Sequence, residues 1–100
     1  MYNVVTNELS FIWDARKSKS NSKKHGVSFE EAKTAFFDDN AILIRDEKHT
    51  EEERFVLIGI SDFLRLLVVV HCFRNGNSIR IISARKATKK ESESYATRKN

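Results

Sequence analysis

The residues best suited to chemistry sit in Ile79 to Ala87, which reads Ile-Arg-Ile-Ile-Ser-Ala-Arg-Lys-Ala. Read as a strand over Ile79 to Ala84, this stretch turns Ile79 and Ile81 to one face and Arg80, Ile82 and Ala84 to the other, because side chains alternate with period two. Arg85 and Lys86 follow where the strand should end, so three cations crowd one exit and form a place for an anion. A guanidinium forks onto two phosphate oxygens, which suits Arg80 and Arg85 to holding a phosphate, with Lys86 as a further contact. The competing reading is that these cations merely solvate a strand end, as most charged side chains do.

Proton transfer needs a second kind of group, and His71 is the first candidate. Arg74-Asn75-Gly76-Asn77 is a hairpin signal, since Asn-Gly favours the two left-handed positions of a type I′ turn. With Asn75 and Gly76 as the turn pair, Arg74 faces Asn77 and His71 faces Arg80 on a shared face. An imidazole of ordinary pKa, about 6.5, exchanges protons at neutral pH, and a neighbouring arginine tends to keep it neutral. The alternative is a satisfied, half-buried strand histidine. Lys24 and His25 are the next candidates, against a helix-capping role. Lys23 and Arg54 complete the candidate substrate contacts, although Glu53 and Arg54 also suit a simple edge ion pair. No metal is expected, because His25, His49 and His71 lack close ligand spacing and Cys72 is the single cysteine. Gly-rich phosphate loops and serine nucleophile motifs are missing too, and no cofactor is expected.

These groups must be positioned by a small domain. One hundred residues, 40% hydrophobic and 32% charged, fit one unit spanning 1–100, with 1–8 and 97–100 loosely ordered. Leu9 to Trp13 suits a short strand. Asp14 is a good N-cap for a very polar helix, Ala15 to His25, that Gly26 stops. Ser28-Phe29-Glu30-Glu31 matches a capping box in which Glu31 reaches back to the Ser28 amide, with Val27 stapled on Ala32, and opens a helix to about Phe37 that buries its aromatic side. Ala41 to Arg45, Arg54 to Ile60 and Leu66 to Phe73 read as strands, the last apolar enough to be central. Thr88-Lys89-Lys90-Glu91 is another capping box, opening a C-terminal helix to about Thr97 with little apolar content.

Net charge is +4 and the pI about 9.4. Its distribution says more: Arg16, Lys17, Lys19, Lys23 and Lys24 load one end, Arg85, Lys86, Lys89, Lys90, Arg98 and Lys99 the other, and the acids lie mostly between. A basic face is the footprint of a nucleic-acid binder, with plain solvation as the competing reading. No apolar run approaches the roughly 20 residues of a spanning helix, and Met1 to Ser10 lacks a signal peptide's pattern, so a soluble cytoplasmic protein without a membrane role is expected.

The order of elements and the wording of several motifs resemble the BrnT family of bacterial type II toxins, within the wider RelE-like toxin fold. The matching residues are Phe11-Ile12-Trp13-Asp14, then Lys24 to Ala32, Glu52-Glu53-Arg54-Phe55 with Ile58-Gly59, Leu66 to His71, and Arg80 to Thr88, ending at Glu91 and Tyr95. The resemblance covers Phe11 to Tyr95. It implies an α+β fold, two N-terminal helices on a mainly antiparallel four- to five-stranded sheet with a short C-terminal helix. It also implies a ribonuclease that cuts RNA and arrests translation. A BrnA-like antitoxin encoded beside it, carrying a ribbon-helix-helix domain, would hold it inactive and alone connect it to operator DNA.

Metal-free RNA cleavage needs a group to take the 2′-hydroxyl proton, cations for the phosphorane, and a proton for the leaving 5′-oxygen. Arg80 and Arg85 suit the second role, while His71, Lys24 and His25 are candidates for handling protons or positioning. The alternative function is a non-catalytic module that binds RNA or protein through the same basic residues. The weakly apolar helices, Ala15 to His25 and Lys89 to Thr97, are where an antitoxin is expected to supply missing burial.

Overall fold

Strand alternation and helix caps in this sequence are realised as one sheet with helices on both faces. The computed structural model describes residues 9–48 and 52–99; the expectations for residues 1–8 and for His49 fall outside them. The described strands are Ser10–Ile12 (β1), Ile42–Asp46 (β2), Arg54–Ile60 (β3), Leu66–Arg74 (β4) and Ser78–Lys86 (β5), ordered β1-β5-β4-β3-β2. β1 runs parallel to β5 and every other pairing is antiparallel. The sheet is therefore mixed, with β4 central and apolar, buried on both faces as its unbroken hydrophobic run predicts.

One face carries the helices Ala15–His25 (α1) and Phe29–Thr34 (α2), the latter extended by a 3-10 turn at Ala35–Phe37. Val27, Phe29, Ala32 and Ala35 pack there on Leu57, Leu67, Val69, Ile81 and Ala84. The other face carries the helix Lys89–Lys99 (α3), whose Tyr95 packs on Ile58 and Val68. Gly59 is required where the 3-10 turn crosses β3, since a Cβ there would lie 2.8 Å from the Ala35 carbonyl oxygen.

The polar α1 is held by hydrogen bonds. Asp14 accepts from the Arg16 amide at 2.8 Å, and Gly26 closes the helix at φ 70° by donating to the Ser22 carbonyl. Its buried residue is Asn21, whose amide donates to the Ala84 carbonyl at 2.7 Å and to the Val27 carbonyl at 2.8 Å and accepts from the Ala84 N–H at 3.2 Å. Among the described residues β1 pairs with Ser78 to Arg80, and Asn21 satisfies the β5 backbone beyond the point where β1 ends at Ile12.

Two local readings change. Ser28 caps α2 by accepting from the Glu31 amide, but the Glu31 carboxylate does not complete the box: it turns inward to accept from Ser61 and Arg65. A buried carboxylate takes the partner that cancels its charge. Thr88 and Glu91 do form the reciprocal box, at 2.8 and 3.2 Å. The Tyr95 hydroxyl then donates to Asp38 at 2.6 Å, so the thinly apolar α3 is tied down at both ends of its contact.

The larger correction concerns the hairpin. Its loop has three residues, Asn75 to Asn77, with Asn75 at φ 43° and Gly76 at φ 77°, and Arg74 pairs with Ser78. Arg80 therefore faces Cys72, while His71 faces Ile81, and the predicted His71–Arg80 pair does not form. A bulge follows: Val70 pairs with Ser83, leaving Ile82 as the extra residue on β5. Alternation is reset there. Ala84 joins Ile81 in the core instead of sharing a face with Arg80, and Arg85, opposite Val68, moves to the face that holds Arg80.

Candidate functional site

The α3 face of the sheet ends in a row of arginines. Arg80 on β5 lies beside Cys72 on β4, Arg54 on β3 is next across, and Arg74 sits two residues along β4 from Cys72. All three guanidiniums converge on Glu52, just before β3. Arg74 Nη2 is 3.0 Å from Glu52 Oε2, Arg80 Nη1 is 3.6 Å from the same oxygen, and Arg54 Nε is 3.4 Å from Oε1. Among the described residues three cations surround Glu52, with Asp46 opposite Arg54 on β2, and positive charge remains in surplus at a site that is partly open. Partial desolvation raises the pKa of Glu52, but the Arg54 hydrogen bond and the Arg74, Arg80 and Arg54 charges outweigh it and hold the group below its ordinary 4.5. It is a carboxylate throughout the neutral range.

Beside this row the sheet floor turns apolar. Ile44, Val56 and Val70 border an open groove of about 700 Å³ that runs between β2 and α3. Arg85 lies at its α3 wall, engaged by Glu91 through two hydrogen bonds of 2.8 and 2.9 Å. The Arg85 hydrogen bond outweighs desolvation and pulls the Glu91 carboxyl down to about 2. So Arg85 shares the face of Arg80, but its fork is spent anchoring α3.

His71 is elsewhere. It is 0% exposed on the helix side of the sheet, ringed by Phe36, Phe55 and Phe73 with centroids 4.8, 6.1 and 5.5 Å away. Nδ1 lies 3.2 Å from the Val69 carbonyl and Nε2 has no partner. Burial, only partly offset by the Val69 carbonyl, pushes its pKa below 6.5. The folded state keeps it neutral while the unfolded chain protonates it, so its contribution is complete above pH 6.5 and is lost as pH falls from there toward the folded pKa. Stability should then drop by up to about 1.4 kcal/mol per pH unit in that window. The His71→Leu variant should lose this slope and match or exceed the parent's stability at pH 5.5, because it removes an unpaired buried nitrogen worth about 1–3 kcal/mol. Urea midpoints at pH 7.5 and 5.5 read this; a variant as acid-sensitive as its parent would contradict it.

The other candidates separate as well. Lys86 pairs with Leu67 on the helix side, where its charge helps lower the Glu31 pKa. Lys23 is exposed at the end of α1. Lys24 and His25 line a smaller cleft of about 230 Å³ with Lys17, Ser20, Ile82 and Ser83, on the outer edge of β5. The sequence reading missed Arg74 and Glu52. Arg54 pairs with Glu52 rather than Glu53, which reaches Arg45 at 2.9 Å. Period two does place 52 with 54 and 72 with 74, but only the register shows that they meet. Among the described residues no three His, Cys, Asp or Glu side chains are grouped to hold a metal ion, and no helix is long and apolar enough to cross a membrane.

The profile of the family described as "Ribonuclease toxin, BrnT, of type II toxin-antitoxin system" matches residues 13–91, which include every arginine of the cluster. The chain belongs to the BrnT family. It is thus a toxin of a type II toxin-antitoxin system, from a family described as ribonucleases, and such a system implies a cognate antitoxin as partner. The crystal structure of the Brucella abortus ribonuclease toxin, BrnT, superposes with a TM-score of 0.63 over 81% of this chain and 99% of that one, at 24% identity. At that identity the likeness speaks for a shared BrnT fold. No curated protein gives a match.

Proposed function

We propose that this BrnT family chain, working as one toxin domain over residues 1–100 with a RelE-like fold, is a metal-independent endoribonuclease that arrests translation in the cytoplasm. The observation that carries the reading is the open cluster of Arg54, Arg74 and Arg80 around Glu52. Arg80 and Arg74 hold the non-bridging oxygens of an RNA phosphate and stabilise the charge of the phosphorane. Glu52 takes the 2′-hydroxyl proton as that oxygen attacks phosphorus, and Arg54 orients the carboxylate. The P–O2′ bond forms and the P–O5′ bond breaks; the leaving oxygen is protonated from water on the open face, and Glu52 returns its proton to solvent.

The arginines make the resting carboxylate a weak base, and substrate corrects this. Each guanidinium drawn to the phosphate weakens the field that holds Glu52 down, and the phosphate's own charge raises its pKa further. His71 takes no part in this scheme, because its ring is sealed in the core. Arg85 serves by anchoring α3, and Lys86 contributes charge on the far face. Neutralisation is by a BrnA-like, ribbon-helix-helix antitoxin lying over α3 and the apolar groove beside the arginines, and operator DNA is reached only through that partner.

Purified protein incubated with RNA and a chelator tests the reading. Cleavage with 2′,3′-cyclic phosphate ends is the expected result, undiminished in His71→Leu. Salt-sensitive retention of RNA without cutting would instead make the chain a binding module.

A further inference from the structure

The second cationic feature of the molecule is α1, and its charges are left unanswered. The helix carries Arg16, Lys17, Lys19, Lys23 and Lys24 and no acid. No ion pair among the described residues involves them. Lys19 and Lys23 repel one another at i,i+4, and Arg16 and Lys17 oppose the positive end of the helix dipole. The helix also buries no apolar side chain. Lys23 and Lys24 gain from the negative end of the helix dipole, but the repulsion along the helix and at its first turn has no acidic partner among the described residues to offset it, and a polyanion would supply one.

Its orientation is set. Asn21 is locked to the Ala84 backbone, Lys17 and Lys24 share its stripe at i−4 and i+3, and Ser20 neighbours both lysines at a spacing of three and four residues. These three line the cleft at the β5 edge together with His25 and Ser83, and among the described residues no carboxylate lines it. Ser83 lies on β5 between Arg80 and Arg85 and pairs with Val70, a wall of the arginine-side groove. The cleft therefore adjoins the arginine face across the width of one strand.

We propose that the Lys17, Ser20, Lys24, His25 and Ser83 cleft is a second phosphate-binding site, holding the RNA backbone beyond the linkage cut at the arginine cluster. The inference rests on the ribonuclease reading for the identity of its polyanion. Lysine ammonium groups and serine hydroxyls donate to phosphate oxygens without reading sequence. The site thus contributes affinity for strand length and none for base identity.

Binding of an uncleavable 2′-O-methyl RNA 12-mer, measured against salt concentration, tests it. The Lys17→Ala, Lys24→Ala double variant should lower the slope of log K against log salt by about 1.4, or about 0.7 for each phosphate that is no longer neutralised. Alanine raises helix propensity at both positions and relieves repulsion, so folding is preserved; Lys24→Glu, which changes the charge of the cleft by the same two units, should weaken binding to a similar extent. An unchanged slope in both variants overturns the proposal. So does an unchanged slope accompanied by weakened affinity for the cognate antitoxin, which would assign the stripe to that protein. If the slope falls but the parent does not cut RNA, the phosphate site stands and the ribonuclease reading fails; if the parent cuts and the slope holds, the second site alone falls.

Discussion

Replacing Arg80 with alanine should lower RNA cleavage by about 10²- to 10³-fold, the usual loss when one preorganised donor to a developing anionic charge is removed. The side chain is about a third exposed, its ion pair with Glu52 is the long one at 3.6 Å, and its strand is held by backbone pairing to β4 and β1. Melting temperature should therefore move little. Arg74→Ala should act in the same direction, and the double variant should cost less than the product of the two, since both guanidiniums serve one phosphorane. Glu52→Gln removes the base and leaves three cations facing one another, so it should lose cleavage while binding RNA as well as the parent or better. Single-turnover cleavage read beside thermal melting separates these effects. Full cleavage by the Arg80→Ala, Arg74→Ala protein would move the chemistry away from this cluster.

Glu31→Ala should cost about 3 kcal/mol of folding stability, the range for stripping one partner from a buried pair. Glu31 is 4% exposed and joins α2 to the β3–β4 turn: Ser61 Oγ donates to it at 2.7 Å, Arg65 Nε at 2.9 Å, and Arg65 Nη2 reaches its other oxygen. Arg65 also donates to the Gly26 carbonyl at 2.9 Å, which ties in the end of α1. The Arg65 hydrogen bond outweighs desolvation and, with Ser61, holds the Glu31 pKa below 4.5. That stability is present above the unfolded pKa and is lost as pH falls through the folded one. Small domains are held by about 5–15 kcal/mol, so the loss should be plain in a urea melt at pH 7. A change under about 1 kcal/mol would show that the network is solvated rather than buried.

Much of this architecture was legible one segment at a time. The limits of α1, the Ser28 and Thr88 caps, the whole of β3 and the central place of β4 follow from residues within a few positions of one another. Family membership was legible in the same way, from short motifs in order. The parallel docking of β1 on β5 was not, since it joins Ser10 to Ser78 across most of the chain. Nor was Glu31's role, because its capping pattern says nothing about an arginine thirty-four residues away.

By itself the sequence determined which segments become helix or strand, and that its arginines and lysines exceed their acidic partners at both ends. Caps, turns and periodicity act over one or two turns of chain and need no distant contact. Tertiary structure alone decided which charges meet. One added residue in the Asn75–Asn77 loop and one in the β5 bulge set the phase of every side chain beyond them. The loop set Arg80 opposite Cys72 instead of His71, the bulge brought Arg85 to the face of Arg80, and the β3–β4 register turned His71 to the core and placed Arg54 on the face of Arg74 and Arg80. A two-residue repeat inverts with each single insertion, so the face of a strand is a property of its pairing rather than of its letters.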